Sequence, residues 1–166
     1  MSPLPSFHAQ IRKALQNPAL KAALAAKWGL HPTNVALGNG ADEWVLLLCQ
    51  SLVDPGDEVI VPCHTYMATA VAVLGVGAIP VIVDIDESVT LSPAAFEAAI
   101  GPRTKAIISV HYAGLAADMP ALLAIAARHG LKVIEDAAHA LPTTCDGRLV
   151  GTLEGADINT LRETMD

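Results

Sequence analysis

The sequence has few charged residues and few aromatic rings. Only 16% of its 166 residues are charged and 4% are aromatic, whereas 52% are hydrophobic. Acidic residues outnumber basic ones, 17 to 10, and no basic cluster is present, so we expect no nucleic acid as a partner. The core must be aliphatic, and the weakly charged surface favours a buried interface with a partner.

Cysteine and long apolar runs are also scarce. The three cysteines, Cys49, Cys63 and Cys145, are odd in number and far apart, and no spacing typical of a metal site joins them. A reduced cytoplasm is the simplest location for them. The N-terminus lacks the basic start and apolar core of a signal peptide. The longest uncharged stretch, residues 67–83, is shorter than the roughly 20 residues of a membrane span, so we expect a cytoplasmic protein with no membrane segment.

Apolar strands alternate with helical segments along the chain. The spacing predicts helices over residues 19–28, 42–52, 68–74, 93–100 and 119–129, and extended segments over residues 33–37, 58–61, 79–83, 105–110 and 132–134. Strands that are apolar throughout and alternate with helices are typical of a parallel sheet covered on both faces. The sequence therefore predicts an α/β three-layer sandwich with right-handed crossovers.

The most informative residue is Asp136, at the end of the apolar strand that begins near Val133. Open α/β sheets expose their chemistry at the carboxyl ends of the strands. An acid there can be the fixed anion that keeps the pyridine nitrogen of pyridoxal 5'-phosphate protonated. Alternatively, Asp136 only caps a turn or the next helix, as strand-end aspartates commonly do.

A glycine loop, residues 38–41, lies between the predicted extended segment and the next helix. Free backbone N–H groups at such a helix start can hold a phosphate. The loop matches neither the dinucleotide fingerprint nor a P-loop, and glycines in such turns are common for steric reasons. Both interpretations stay open.

Tyr66 follows the strand that ends near Val61, and its ring could lie on a flat cofactor or serve only in packing. Cys63 and His64 precede it. Adjacent residues on an extended segment point apart, so we expect no catalytic pair there.

Two histidines follow strands closely. His111 is expected to face the crevice at the strand ends, although a lone histidine is more often structural. His139 should lie one helical turn beyond Asp136 and share its face, where it could contact the cofactor ring. A purely structural role is expected for the other four histidines: His8, His31, His64 and His129.

From Asp54 to Gly151 the sequence resembles the DegT/DnrJ/StrS family of sugar aminotransferases, which are fold type I pyridoxal-phosphate enzymes. The matching stretches, in the family's order and spacing, are residues 55–62, 65–70, 102–108, 117–119, 133–139 and 147–151. Residues 17–43 are more similar to the histidinol-phosphate aminotransferases of the same fold.

The resemblance implies the large domain of an aspartate aminotransferase-like transferase, over residues 31–166, preceded by a helical segment at residues 1–30. It implies that Gly40 and Ala41 hold the cofactor phosphate, Tyr66 stacks on the ring, Asp136 binds the pyridinium nitrogen and His139 lies near the ring oxygen. Ala41 departs from the hydroxyl or acidic residue usual there. The implied partners are a small-molecule substrate (an amino donor, and a keto-sugar nucleotide or keto acid) and further copies of the chain.

The family's Schiff-base lysine belongs to a later segment rich in serine and phenylalanine. The sequence ends at Asp166 before such a segment, so we expect a truncated large domain without the catalytic lysine and without the small C-terminal domain. The sequence has five lysines, and none lies in a segment that matches the family's Schiff-base segment: Lys13, Lys21, Lys27, Lys105 and Lys132.

Three interpretations follow. The chain is the cofactor-binding part of an aminotransferase, or a non-catalytic domain that binds a phosphorylated ligand or a partner, or a marginally folded fragment without activity. Transamination needs the lysine to hold the cofactor and to move a proton. This chain alone is therefore not expected to be an active enzyme.

Overall fold

The computed structural model describes residues 17–38 and 40–153, which fall into two units, one up to Trp44 and one from Val45 onward. The domain boundary at residue 30 that the sequence suggested remains a prediction.

In the first unit, helix α1 (Pro18–Trp28) begins where the Asn17 side chain accepts the N–H groups of Ala19 and Leu20. It ends at Gly29, whose φ of 66° is the left-handed geometry that glycine favours. A 3₁₀ helix, η1 (Pro32–Asn34), follows.

The prediction of an extended segment over residues 33–37 is wrong for its first two residues, which belong to η1. Pro32 begins η1, and the His31 side chain accepts the backbone N–H of Thr33. A proline at the first position and a side-chain cap both favour a helical turn over an extended start.

The second unit alternates strands and helices nearly as the sequence predicts. Helix α2 (Ala41–Leu52) leads into it, followed by β1 (Glu58–Pro62), α3 (Ala68–Gly75), β2 (Ile79–Val83), α4 (Pro93–Ala99), β3 (Thr104–Val110), α5 (Met119–His129) and β4 (Lys132–Asp136). A short antiparallel hairpin, β5 (Thr144–Cys145) and β6 (Arg148–Leu149), completes the described part.

Strands β1 to β4 form one parallel sheet in the order β2-β1-β3-β4, which confirms the predicted parallel sheet. In the register, Ile60 lies opposite Ile107, and Val110 lies opposite Asp136.

The two faces of this sheet carry separate apolar clusters. One cluster joins Ile107 of β3 to Phe96 of α4 and Leu122 of α5. On the other face, Ile108 packs with side chains from α2 and α3, including Cys49 and Val73. Helices therefore cover both faces, which confirms the three-layer α/β architecture.

Strand β2 is less buried than the prediction of a sheet covered on both faces implies, and only Val83 of its five residues is buried. Ile82 is 62% exposed and Ile79 is 39% exposed, because β2 is the edge strand of this sheet. Helix α3 and the turn before it also expose Met67, Val71 and Leu74, whose spacing places them on one face.

Among the described residues, no helix has the length and apolar character to cross a membrane.

Candidate functional site

The carboxyl ends of β1, β3 and β4 meet at one edge of the sheet, since the strands are parallel. The loops that follow these strands carry Tyr66, Tyr112 and His139, and Asp136 ends β4 itself. This edge brings together three of the residues predicted from the sequence.

Asp136 is half-buried, and strand alternation places its side chain on the same face as Ile134, the face covered by α2 and α3. Its Oδ1 accepts the backbone N–H of Ala138 at 3.0 Å, so the turn-capping role is confirmed for that oxygen. Its Oδ2 makes no hydrogen bond within residues 17–38 and 40–153. One carboxylate oxygen is thus held by the turn, and the other is not held by any described residue.

The neighbouring acid, Glu135, lies on the opposite face, and its side chain is only 1% exposed. Its Oε2 lies 3.3 Å from Nε2 of His111, which is fully buried. The other ring nitrogen of His111, Nδ1, accepts the N–H of Ala117 at 3.0 Å. Since Nδ1 accepts, Nε2 must carry the proton that is donated to Glu135.

His111 therefore does not face the crevice, contrary to the sequence-based expectation. It lies two positions beyond Ser109, and its side chain points to the α4 and α5 face, where Glu135 binds it. Glu135 also accepts the N–H groups of Gly151 and Leu153, at 2.7 and 3.1 Å. The pair is a buried support that ties the segment after β6 to the end of β4.

Tyr66 lies in the loop between β1 and α3 and is 66% exposed. The loop is fixed beneath it, because the hydroxyl groups of Thr65 and Thr69 lie 2.9 Å apart and the N–H of Thr69 donates to the Tyr66 carbonyl. A fixed backbone that carries an exposed ring is the arrangement that a flat ligand needs.

His139 lies on a turn rather than on the predicted helix. Ala140 donates its N–H to the Ala137 carbonyl, and Asp136 closes the turn through Ala138, so no helix starts there. The His139 side chain is exposed, and its ring centroid lies 6.0 Å from that of Tyr112.

Tyr112 and His64 are the residues that sequence reasoning missed at this edge. Their ring centroids lie 4.1 Å apart, and Nδ1 of His64 donates to the Val89 carbonyl at 3.4 Å. Each follows its strand by two residues, and that shared offset was the available signal. The Cys63 thiol points instead to Asp84, at 3.7 Å, so Cys63 and His64 have different hydrogen-bond partners.

Gly40 and Ala41 belong to the first unit. Gly40 has a φ of 95°, a conformation that L side chains rarely adopt, and Ala41 begins α2. A side chain at Gly38 would collide with the Trp44 indole, which gives that glycine a steric reason. Asn39 lies outside the described residues. The phosphate-binding role of Gly40 and Ala41 stays a prediction.

The lysines of the second unit lie far from Asp136. Lys132 is the first residue of β4 and Asp136 is the last, about 13 Å away at about 3.3 Å per residue. Lys105 is the second residue of β3, likewise near the amino edge of the sheet.

Comparison with known proteins shows which family the chain belongs to. The family model described as the DegT/DnrJ/EryC1/StrS aminotransferase family matches residues 8–161. The chain belongs to this family. The match confirms the resemblance read from the motifs and extends it toward both ends of the sequence.

Among curated proteins, one relative is the UDP-N-acetyl-3-dehydro-alpha-D-glucosamine 3-aminotransferase of Acidithiobacillus ferrooxidans. The two sequences are 49% identical over 138 residues, which is 82% of this chain and 37% of that protein. The chain thus spans little more than a third of the length of this relative.

Solved family structures share the fold. DesV of S. venezuelae is 47% identical, with a TM-score of 0.65 over 66% of this chain and 30% of DesV. NtdA of Bacillus subtilis, solved with its cofactor PMP bound, is 40% identical, with a TM-score of 0.60 over 68% of this chain and 25% of NtdA.

Proposed function

We propose that this chain is the cofactor-holding part of a pyridoxal-phosphate-dependent sugar aminotransferase. The observation that carries the proposal is the half-buried Asp136 carboxylate at the carboxyl edge of the sheet, with Oδ2 unpaired within the described part of the chain. Family membership supports the reaction class. The proposed substrates are small molecules: an amino donor, and a keto-sugar nucleotide or keto acid.

The residues at this edge fit pyridoxal phosphate in chemical type. The Asp136 carboxylate would hold a proton on the pyridine nitrogen, because an adjacent anion favours the charged form of a base. Tyr66 would cover one face of the ring, and His139 would lie near its oxygen. In the first unit, Gly40 and Ala41 stay the proposed phosphate-binding residues, on the family resemblance and on the backbone N–H groups of a helix start. When bound, the cofactor supplies an electron sink for the carbon that exchanges its amino group.

The five lysines of this chain are not proposed as the cofactor's covalent partner. Lys105 and Lys132 lie near the amino edge of the sheet, whereas Asp136 lies at the carboxyl edge. Transamination needs a basic amine at the reacting carbon to move a proton. We propose that this lysine comes from another part of the protein or from a companion chain.

The position of Lys105 and Lys132 also favours a second candidate function. If no lysine reaches a ligand held by Asp136 and Tyr66, the chain would be a non-catalytic domain that binds a phosphorylated ligand. Cofactor binding alone does not separate this candidate from the first, but formation of a covalent adduct does.

The test is a titration of the purified chain with pyridoxal phosphate, followed by visible absorbance, borohydride reduction and intact mass. We expect reversible binding and no reduced adduct. A single stoichiometric adduct would mean that one of the five lysines does reach the cofactor. The absence of any binding would contradict the proposed site and favour an inactive fragment.

We predict that Asp136→Ala weakens pyridoxal-phosphate binding by between about ten- and a hundredfold, the usual value of a hydrogen bond to a charged group. Asp136→Asn is the matched control, because it can keep the bond to the Ala138 N–H but removes the charge. We expect both variants to fold and both to bind weakly. Binding by Asp136→Asn at the original affinity would contradict pairing with a pyridinium.

We further propose that the chain forms a homo-oligomer and works in the cytoplasm. The exposed apolar side chains of Met67, Val71 and Leu74 support a protein contact at α3. The three free cysteines are compatible with a reducing compartment.

A further inference from the structure

Three rings from three separate loops form a row at the carboxyl edge of the sheet. His64 follows β1, Tyr112 follows β3 and His139 follows β4. Tyr112 occupies the middle, with centroid distances of 4.1 Å to His64 and 6.0 Å to His139 and interplanar angles of 52° and 58°. Tilted rings at these distances attract one another. We call His64, Tyr112 and His139 the ring row.

The middle ring is held by its own loop. Tyr112 starts a tight turn in which its carbonyl accepts the N–H of Leu115 at 2.8 Å. The Thr143 hydroxyl donates to the Gly114 carbonyl at 2.8 Å, which joins this turn to the turn that carries His139. Tyr112 is also half-buried, so it packs against the protein as well as against the neighbouring rings.

His139 has no comparable support of its own. Its side chain is exposed and makes no hydrogen bond within the part of the chain that the structure describes. An unrestrained surface imidazole samples several rotamers. Binding a ligand that contacts only one of these rotamers costs side-chain conformational entropy. The ring of Tyr112 lies beside this imidazole, with the two centroids 6.0 Å apart.

We propose that Tyr112 is a positioning residue that fixes the orientation of the His139 imidazole for contact with the cofactor, with His64 supporting Tyr112 from the other side. This inference rests on the proposed function, since it concerns how a residue of the proposed cofactor site is held. Tyr112 acts through His139 and needs no contact with the cofactor itself.

The first test uses the chain without cofactor. In a carbon-edited NMR spectrum, the imidazole signals of His139 and His64 are assigned by loss in His139→Gln and His64→Gln. Tyr112→Leu removes the ring, whereas Tyr112→Phe keeps it and removes only the hydroxyl. We expect the His139 signal to move in Tyr112→Leu and to stay near its original position in Tyr112→Phe. The exposed His31 and His129 serve as internal references.

The second test measures pyridoxal-phosphate affinity in the same variants. Tyr112→Leu should weaken binding by about three- to tenfold, the usual effect of losing one aromatic contact, and Tyr112→Phe should bind like the original chain. An unmoved His139 signal in Tyr112→Leu would overturn the inference. Equal loss of affinity in both variants would also overturn it, because the hydroxyl rather than the ring would then matter.

The two proposals fail in different ways. If the original chain binds no pyridoxal phosphate, the proposed function fails, and the inference about cofactor contact fails with it. If the chain binds but Tyr112→Leu binds equally well, only the inference fails. If Tyr112→Leu does not fold, His64→Ala provides the test. We expect this variant to shift the NMR signals of the Tyr112 ring and, through Tyr112, those of His139. No change in either set of signals would contradict the proposed role of the ring row.

Discussion

Two adjacent acids at the end of β4 have different roles because strand alternation points them to opposite faces. Glu135 is buried and accepts three hydrogen bonds, from the side chain of His111 and from the backbone of Gly151 and Leu153. Within the described residues, the Asp136 carboxylate accepts one, from Ala138. A carboxylate whose oxygens are occupied serves the fold, whereas a carboxylate with an unoccupied oxygen can serve a ligand.

We predict that Glu135→Gln destabilises the folded chain by about 1–3 kcal/mol, because the new amide NH₂ group must face at least one N–H donor that the carboxylate accepted. Urea denaturation measures the change in the free energy of unfolding. Glu97→Gln is the matched control: Glu97 is about half exposed and pairs with Arg128, so the same substitution should cost about 1 kcal/mol or less. Equal effects would contradict the buried support.

At the residue scale, sequence reasoning found Asp136 and Tyr66 from their places just after strands. It did not find the pairing of His111 with Glu135, or the contact of Tyr112 with both histidines. Such pairs depend on the register between strands that are distant in sequence. The sequence pattern fixes the periodicity within a strand but not this register.

At the scale of elements, local signals predicted helices better than turns. Helix α5 begins at Met119 and ends before Gly130 as predicted, because Asp118 caps its first turn and Gly130 has a φ of 65°. The β5–β6 hairpin was missed because strands of two residues carry no periodicity. Its Asp146-Gly147 turn, with φ of 50° and 76°, was the available signal.

The packing of α2 gives a prediction about thiol reactivity. Cys49 is fully buried between α2 and the sheet, and burial raises the pKa of its thiol from 9.0 to about 11. At pH 8 only about one such thiol in a thousand is ionised. We therefore expect iodoacetamide to modify the exposed Cys63 rapidly and Cys49 only after unfolding, as followed by peptide mass analysis.

The same thiol makes stability depend on pH at the alkaline end. Its folded pKa lies above its unfolded value, so its contribution is complete below pH 9 and declines between pH 9.0 and about 11. Cys49→Ala should flatten this part of the stability curve. Modification of Cys49 at the rate of Cys63 in the folded chain would contradict the packing of α2.

At the scale of the molecule, the parallel sheet and its two covered faces followed from the alternation of apolar strands and helices, whereas the strand order did not. The exposure of β2 did not, because periodicity cannot tell an edge strand from a central one. The low charge of the sequence predicted an interface with a partner but not its location. The structure shows that exposed apolar residues lie at α3 and β2.

We predict that the double variant Val71→Lys, Leu74→Lys reduces the oligomeric state of the chain, because it places two like charges on the exposed apolar face of α3. Size-exclusion chromatography with light scattering measures the mass in solution. Val71→Thr keeps the side-chain shape and should retain the oligomer. An unchanged mass in the lysine variant would exclude α3 from the contact, and a monomeric original chain would contradict the oligomer proposal.

The ring row has a consequence for the order of folding. Its members come from the loops after three strands, and Tyr112 contacts both histidines only when β1, β3 and β4 are aligned. No short stretch of the chain contains the row, and contacts this distant in sequence form late. Whatever binds there recognises the completed sheet, so its binding free energy stabilises the second unit as a whole rather than any one helix or strand.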